Sequence, residues 1–512
     1  MPPRAIPWPM HPSLDSRTRN ASIRVGGEGT GGSHIVLIAT ALALMLPLLA
    51  SPASVPVTHP SVPAPIRPLP APDSVPMSGV VTAGPPPVIL AAGTDIGTIP
   101  FGTQYRVTNT PGAQNEVSIA VNPTNPLNIV ATANDYRGGD AWCGVYATRD
   151  GGRTWLEQLL PRGGSLTFLE VSGDPSVAFD ADGNAYQACL GFNRSANPGN
   201  VITVSKSTNG GLTWSTPVTI AGTTAGVFHD KPYIVTDRST AATRGNVYLT
   251  WTRYVTGASP IYFSRSTDGG LSWSTGIDIT TFGYKADQGS QPAVGPGGEL
   301  YVSFWATGSR IALAKSIDGG TTWGVTRTVA IMFDPGELYP SPGPRTPHFP
   351  SLAVNPLDAP GGNRVHLVWA DRRFGDADIL MSTSEDGGGT WGAPVRVNDD
   401  TPGKAQFFPF VTASEKGLVH VSFYDRRDDP ADLLLTVYVA TSTDFGTTFG
   451  NRRASAQFGA GTWFIGDYIG IASHGDFAYA AWCDLRNSGE EEVYMAGPWL
   501  SASVPPLTIV FP

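Results

Sequence analysis

The sequence predicts an all-β fold, a seven-bladed β-propeller of four-stranded antiparallel sheets, and three observations predict it. A phrase recurs six times, a second mark recurs seven times, and the backbone is dense in turn residues. Of 512 residues 60 are Gly and 46 are Pro, which excludes a helical bundle.

The recurring phrase is Thr-Arg-Asp-Gly-Gly-Arg-Thr-Trp over 148–155, Ser-Thr-Asn-Gly-Gly-Leu-Thr-Trp over 207–214 and Ser-Thr-Asp-Gly-Gly-Leu-Ser-Trp over 266–273. Copies at 316–323 and 384–391 follow, with a degenerate one at 442–449 ending in Phe449. The acidic or amide position is Asp150, Asn209, Asp268, Asp318, Asp386 and Asp444; most steps are near 59 residues, but 318 to 386 is 68. Upstream of each phrase stands a second mark, at Val117, Pro175, Pro232, Pro292, Pro350, Pro409 and Asp467. Those seven marks count seven units, the last without a phrase.

Within a unit, short runs alternate with period two, as in Val247-Tyr248-Leu249-Thr250-Trp251, and Gly, Asn or Asp turns separate them. Each unit reads as a four-stranded meander too small to bury its own faces, so seven close into a ring. The last unit lacks an outer strand, and residues 103–108 (Thr-Gln-Tyr-Arg-Val-Thr) are expected to supply it.

The chain divides into an N-terminal leader at 1–53, a proline-rich linker at 54–100 and the propeller at 101–512. Arginines precede an uncharged apolar run over 35–50, and Ser51-Pro52-Ala53 offers small residues for cleavage, the pattern of a secretory signal. A retained anchor is the alternative, but the run is short of the ~20 residues that span a bilayer. A secreted or surface-exposed chain without a membrane span, and a monomer, is therefore expected. Between Pro52 and Leu90 stand 12 prolines, a spacer composition. The chain carries 33 Lys and Arg against 42 Asp and Glu, a net charge of −9, which argues against nucleic acid as a partner. Three cysteines, Cys143, Cys189 and Cys483, are too few for a disulfide scaffold, and no bridge is expected among them.

The octads resemble the Asp boxes, or bacterial neuraminidase repeats, of the sialidase superfamily, over roughly residues 100 to 500. The resemblance implies that each box is the turn between third and fourth strands, with a conformational role. It also implies an exo-acting glycosidase of the sialidase type, in which an arginine cluster holds a substrate carboxylate beside a Tyr/Glu couple and an acidic residue. Six-bladed members carry a Phe/Tyr-Arg-Ile-Pro element, where this chain has Tyr105-Arg106-Val107-Thr108.

If strands alternate up and down, the boxes share one rim with the tight first-to-second strand turns, and chemistry belongs on the other. There Asp-x-Arg recurs at the end of the second strand, giving Arg137, Arg373, Arg427 and Arg486 as candidate substrate-binding residues. Glu116, Asp174 and Asp467 start the inner strands of units one, two and seven, neighbours in a closed ring. With Tyr468 they are the catalytic candidates, with Arg137 and Arg486 alongside. The plainer reading of the Asp-x-Arg repeats is an ion pair that orders each loop.

Carboxylates gathered near one axis repel unless a cation lies between them, so a bound Ca²⁺ is one answer, although no cofactor is required. His229 and His348 read as loop histidines, and no metal ligands are assigned. A carbohydrate or glycoconjugate is the expected partner. The alternatives are a non-catalytic glycan- or protein-binding propeller and an assembly scaffold. Asp467→Asn and Arg486→Ala are expected to spare thermal stability, as rim substitutions do.

Overall fold

Each of the seven units is a four-stranded antiparallel sheet in the computed structural model. It describes residues 102–499 apart from 195–198, 282–285, 341–342, 357–362, 402, 462–463, 476 and 488. The leader and linker expected over 1–53 and 54–100 lie outside the described residues. The inner strands, from blade one to blade seven, are Gln114–Val121, Val171–Phe179, Phe228–Thr236, Gln288–Val294, Ser351–Val354, Gln406–Ala413 and Gly470–His474. Three further strands step outward from each of the first six, and in blade six a short strand, Phe458–Gly459, adds to the third.

Blade seven supplies only three strands from its own end of the chain. Its fourth is Gln104–Arg106, antiparallel to Glu492–Trp499, with Gln104 opposite Ala496 and Arg106 opposite Tyr494. The pairing continues past the strand, where Val107 N donates to Val493 O at 2.8 Å and the Val107 side chain is fully buried. Arg106 also pairs with Glu492. Terminal segments from opposite ends of the chain thus share one sheet, which removes the open edge a ring cannot tolerate.

Between blades the sheets pack face to face on alternating apolar side chains. Val368 and Met381 of blade five meet Val411, Val421 and Phe423 of blade six in one cluster, for example. The repeat is visible in the inner strands as a β-bulge, with register shifts at 115–118, 173–176, 230–233, 288–291 and 407–410. In blade four the bulge falls at Gly289-Ser290, so Pro292 lies two residues inside the strand and not at the equivalent position.

The six octads are turns between third and fourth strands. In the first, Thr148 Oγ1 donates to Asp150 Oδ1 at 2.7 Å and accepts from Gly152 N at 3.0 Å. Asp150 also accepts from Thr154 N and Thr154 Oγ1. The same set recurs around Asp268, Asp318, Asp386 and Asp444, and Asn209 reproduces it with an amide. Two successive residues need positive φ there. Gly151 and Gly152 take 72° and 99°, whereas the degenerate octad places Phe445 at 58°. Every polar role in the turn is conformational.

The expectation of unpaired cysteines is corrected. Cys143, in the third strand of blade one, is bonded to Cys189, in the second strand of blade two, with Cα atoms 6.6 Å apart. Facing strands of neighbouring blades fall within the span of a disulfide, which strand order alone did not reveal. Cys483 is buried and free.

Deleting 101–110 should abolish the cooperative thermal transition or lower its midpoint by well over 10 °C, because the last blade then exposes an unpaired edge. Deleting 1–95 should leave that midpoint within a few degrees, as calorimetry would read. Thiol alkylation of the unreduced, denatured protein should label one cysteine. With the bridged pair separated by 46 positions in sequence, Cys143→Ala/Cys189→Ala should lose up to about 4 kcal/mol in urea unfolding.

Candidate functional site

The inner strands start on the rim opposite the octads, and their bulges turn the first residues toward the axis. Glu116, Asp174 and Lys231 occupy the same bulge position in blades one, two and three, at φ of 58°, 48° and 48°. Non-glycine residues in this region carry local strain, of the order of 1 kcal/mol each, and three in succession concentrate it at one place.

Lys231 is the centre of what they build. Its Nζ lies 2.6 Å from Asp467 Oδ2 and 3.4 Å from Glu116 Oε1, and its backbone N donates to Asp174 Oδ2 at 3.3 Å. The ammonium also lies over the rings of Tyr468 and Phe349, at 5.6 and 5.7 Å. Asn134, at the end of the second strand of blade one, joins the two acids: its Nδ2 donates to Glu116 Oε2 at 2.6 Å, and its Oδ1 accepts from Asp174 N at 2.8 Å. Arg345 closes the far side with Nε and Nη2 at 2.7 and 2.6 Å from the two oxygens of Asp467, a bidentate pair. It arrives on the long connection between Ile331 and Ser351, and its guanidinium lies over Phe464 at 5.0 Å.

The electrostatics follow from burial. Glu116 is 1% exposed, Asp174 and Asp467 are each 3%, and Lys231 is 8%. Burial pushes Glu116 well above the usual carboxylate range, and the adjoining Asp174 carboxyl adds to the effect. Burial likewise raises Asp174 to about 6, against the pull of Lys231, and raises the neighbouring Asp230. Asp467 goes the other way: burial opposes its ionisation, but Lys231 and Arg345 together outweigh it. Lys231 stays charged despite burial because Asp174, Asp467 and Glu116 surround it. Glu116, Asp174 and Asp230 are thus held above the usual carboxylate range and Asp467 below it, so Asp467 carries the firmest negative charge of the knot, between the cations Lys231 and Arg345. Beside it lies a cavity of about 40 Å³ lined by Lys231, Phe349, Phe408, Asp467 and Tyr468, the size of a water site and far below a sugar ring.

Glu116, Asp174, Asp467 and Tyr468 are therefore brought together. The four arginines are not; each is held by the aspartate two residues before it. Arg137 Nη2 lies 2.6 Å from Asp135, Arg373 Nη2 2.8 Å from Asp371, Arg427 Nε 2.7 Å from Asp425, and Arg486 Nη2 2.5 Å from Asp484. Three of the buried aspartates also take a bond from a core ring, Tyr146 OH to Asp135, Trp369 Nε1 to Asp371 and Trp482 Nε1 to Asp484, and Asp425 takes one from Gln406 Nε2. Each guanidinium is thus anchored on the aspartate of its own blade, although Arg373 also donates to Ile331 O of blade four and Arg427 to Asp399 beyond the last strand of blade five; those of Arg427 and Arg486 lie over Tyr438 and Tyr494.

His229 stands in the inner strand of blade three and not in a loop. Its Nδ1 accepts from Trp251 Nε1 at 2.9 Å, and burial lowers its pKa to about 4. His348 contacts Gly336 O. Among the described residues, no group of three or more His, Cys, Asp or Glu is placed to hold a metal ion. The cation among the axial carboxylates is Lys231 itself.

Sequence reasoning missed Lys231 and Arg345. Lys231 precedes Pro232, one of the repeated marks, as Asp174 precedes Pro175, so the register already located it. Arg345 lies in the insert that stretches one octad step to 68 residues, outside the repeat. The expectation that Asp467→Asn spares stability does not fit this burial, because two cations would lose their common counter-charge, at a cost of about 3–5 kcal/mol.

No protein-family profile matches the chain, and no curated protein does. Among solved structures it is similar to a Hadza microbial sialidase, at 16% identity and TM-score 0.44, over 62% of this chain and 66% of that one. It is also similar to a leech intramolecular trans-sialidase complexed with 2,7-anhydro-Neu5Ac, at 12% and 0.44 over 78% and 92%. A third is an α-L-arabinofuranosidase of Fusarium graminearum, at 14% and 0.43 over 66% and 96%. These likenesses concern the propeller fold.

Asp174 offers a test with a definite sign. Its pKa is raised to about 6 from 3.8, so the folded state holds a proton that the unfolded chain releases, and that stabilising contribution fades as pH rises through 6. Asp174→Asn should be more stable than wild type at pH 8 by about 3 kcal/mol, with the gap closing by pH 4. Urea unfolding at the two pH values measures it.

Proposed function

We propose that the protein is an extracellular, sialidase-like propeller that acts on glycans by binding them at the rim opposite the octads, as a monomer. The observation that carries this reading is the closed axial knot: its charges are balanced within the chain, and the cavity beside it is about 40 Å³. A glycan then meets the surface around the knot. Phe333 and Phe374, 56% and 57% exposed, offer ring faces at the Asp371-Arg373 loop, and the Arg373 guanidinium lies 5.2 Å from the Phe333 ring. Exposed aromatic faces beside fixed polar groups suit the apolar face and hydroxyls of a sugar. The octads support the superfamily resemblance, the net charge of −9 disfavours nucleic acid, and the Cys143–Cys189 bridge supports an oxidising compartment. No helix among the described residues is long and apolar enough to cross a membrane.

Hydrolysis is the second reading, favoured by the contact of the Glu116 and Asp174 carboxyls beside Tyr468, with Asp174 raised to about 6. In that reading Glu116, Asp174, Asp467 and Tyr468 carry the chemistry. A glycan array and a panel of fluorogenic sialosides, run with the same preparation, separate the two. Binding reads as array signal that Phe333→Ala/Phe374→Ala weakens at least about tenfold with an unchanged melting midpoint, and no sialoside is cleaved. Turnover that Asp174→Asn abolishes would instead establish hydrolysis.

A further inference from the structure

One cavity of the described chain belongs to neither reading. It is the axial channel, about 450 Å³, which opens on the octad face among the first-to-second strand turns. That volume lies in the range of small-molecule pockets. Ala120, Ala178, Val235, Val294, Val354 and Ala472, one from each of six inner strands, line it. Its inner end is narrowed by Tyr233 and Phe410, stacked across the axis with ring centroids 6.0 Å apart, beyond which lies the small chamber beside Lys231.

The mouth is polar and asymmetric. Arg238, Arg244, Glu415 and His474 line it. Arg244 is occupied by the carbonyls of Arg238 and Ser239. Glu415 accepts from Gly475 N at 2.8 Å and faces His474 Nδ1 at 3.7 Å; burial opposes its charge, but His474 and Arg238 hold it down at about 2. The Arg238 guanidinium makes no hydrogen bond among the described residues, although it lies in the field of Glu415. Two guanidiniums against one carboxylate leave the mouth positive, on a chain whose net charge is −9.

We infer that the channel is a binding site for a small amphipathic anion, with an apolar body in the tube and a carboxylate on Arg238. The small and branched apolar side chains of the inner strands supply apolar contact, and polar groups of the wall are bonded within the chain: Thr412 Oγ1 to Ser473 Oγ, Gln291 Oε1 to Leu352 N and Thr236 Oγ1 to Phe179 O. A head group at the mouth meets Arg238 without displacing an existing hydrogen bond. The site stands on the opposite face from the glycan rim and does not depend on that reading.

Octanoate is the probe, octanol its neutral counterpart, and isothermal titration of the full-length chain the measurement. Octanoate should bind with one-to-one stoichiometry. Arg238→Ala should weaken it about tenfold or more while changing octanol affinity less than about twofold. Ala472→Leu, which narrows the tube, should weaken both ligands, and Ala178→Leu does the same from another blade should the first variant lose its melting transition. Absence of octanoate binding, or binding indifferent to both Arg238→Ala and the tube-narrowing variant, overturns the inference. Either outcome leaves the rim experiments above unaffected.

Discussion

Seven inner strands that converge on one axis bring their first residues within reach of one another, and in three successive blades of this protein those residues carry charge. Glu116 and Asp174 alone would repel across the axis, and Asp467 would add to the strain. Lys231, at the same bulge position in the next blade, inserts an ammonium between them, 2.6 Å from Asp467 and 3.4 Å from Glu116. Arg345 then takes the two oxygens of Asp467. A buried ion network of this kind stabilises only when every member is paired, and it is costly when one is removed. The geometry of the rim is therefore organised around a lysine that must stay charged.

The two faces of the ring divide the work. On the octad face, turns held by a Ser or Thr hydroxyl and an Asp fix how the third strand returns as the fourth. The channel opens among neighbouring tight turns. On the other face the connections are long, and one of them delivers Arg345. The Asp-x-Arg pairs belong to the scaffold of that face: a buried aspartate is clamped between a donor from the core, a ring in three of the four blades, and an arginine above it. Repetition itself marks the device as structural, since a single ligand site has no use for four copies.

Blade count, octad turns and the closing strand were all legible in the sequence, because each follows from period and from the intolerance of a ring for open edges. The convergence of Glu116, Asp174 and Asp467 was legible for the same reason. What the repeat could not convey was which side chains neutralise one another. Lys231 was masked by attention to acidic residues, although its register beside Pro232 matched Asp174 beside Pro175. Arg345 lies in an insert that no periodicity describes. Cys143 and Cys189 are near in space only because strands of adjacent blades face each other at one height, a matter of inter-blade register. The arginines misled in a simpler way, since a guanidinium at a rim reads the same in sequence whether it turns outward or folds back onto its own aspartate.

The claim that the axial constellation is a self-neutralised knot is tested most directly by a double-mutant cycle on its shortest ion pair. Lys231→Met, Asp467→Asn and the double variant would be compared with wild type by urea unfolding at pH 7. A coupled pair gives a double variant far less destabilised than the two single changes combined, with an interaction free energy of at least about 2 kcal/mol. Additivity within about 0.5 kcal/mol would mean that Lys231 does not neutralise Asp467, and the account of the rim would be wrong.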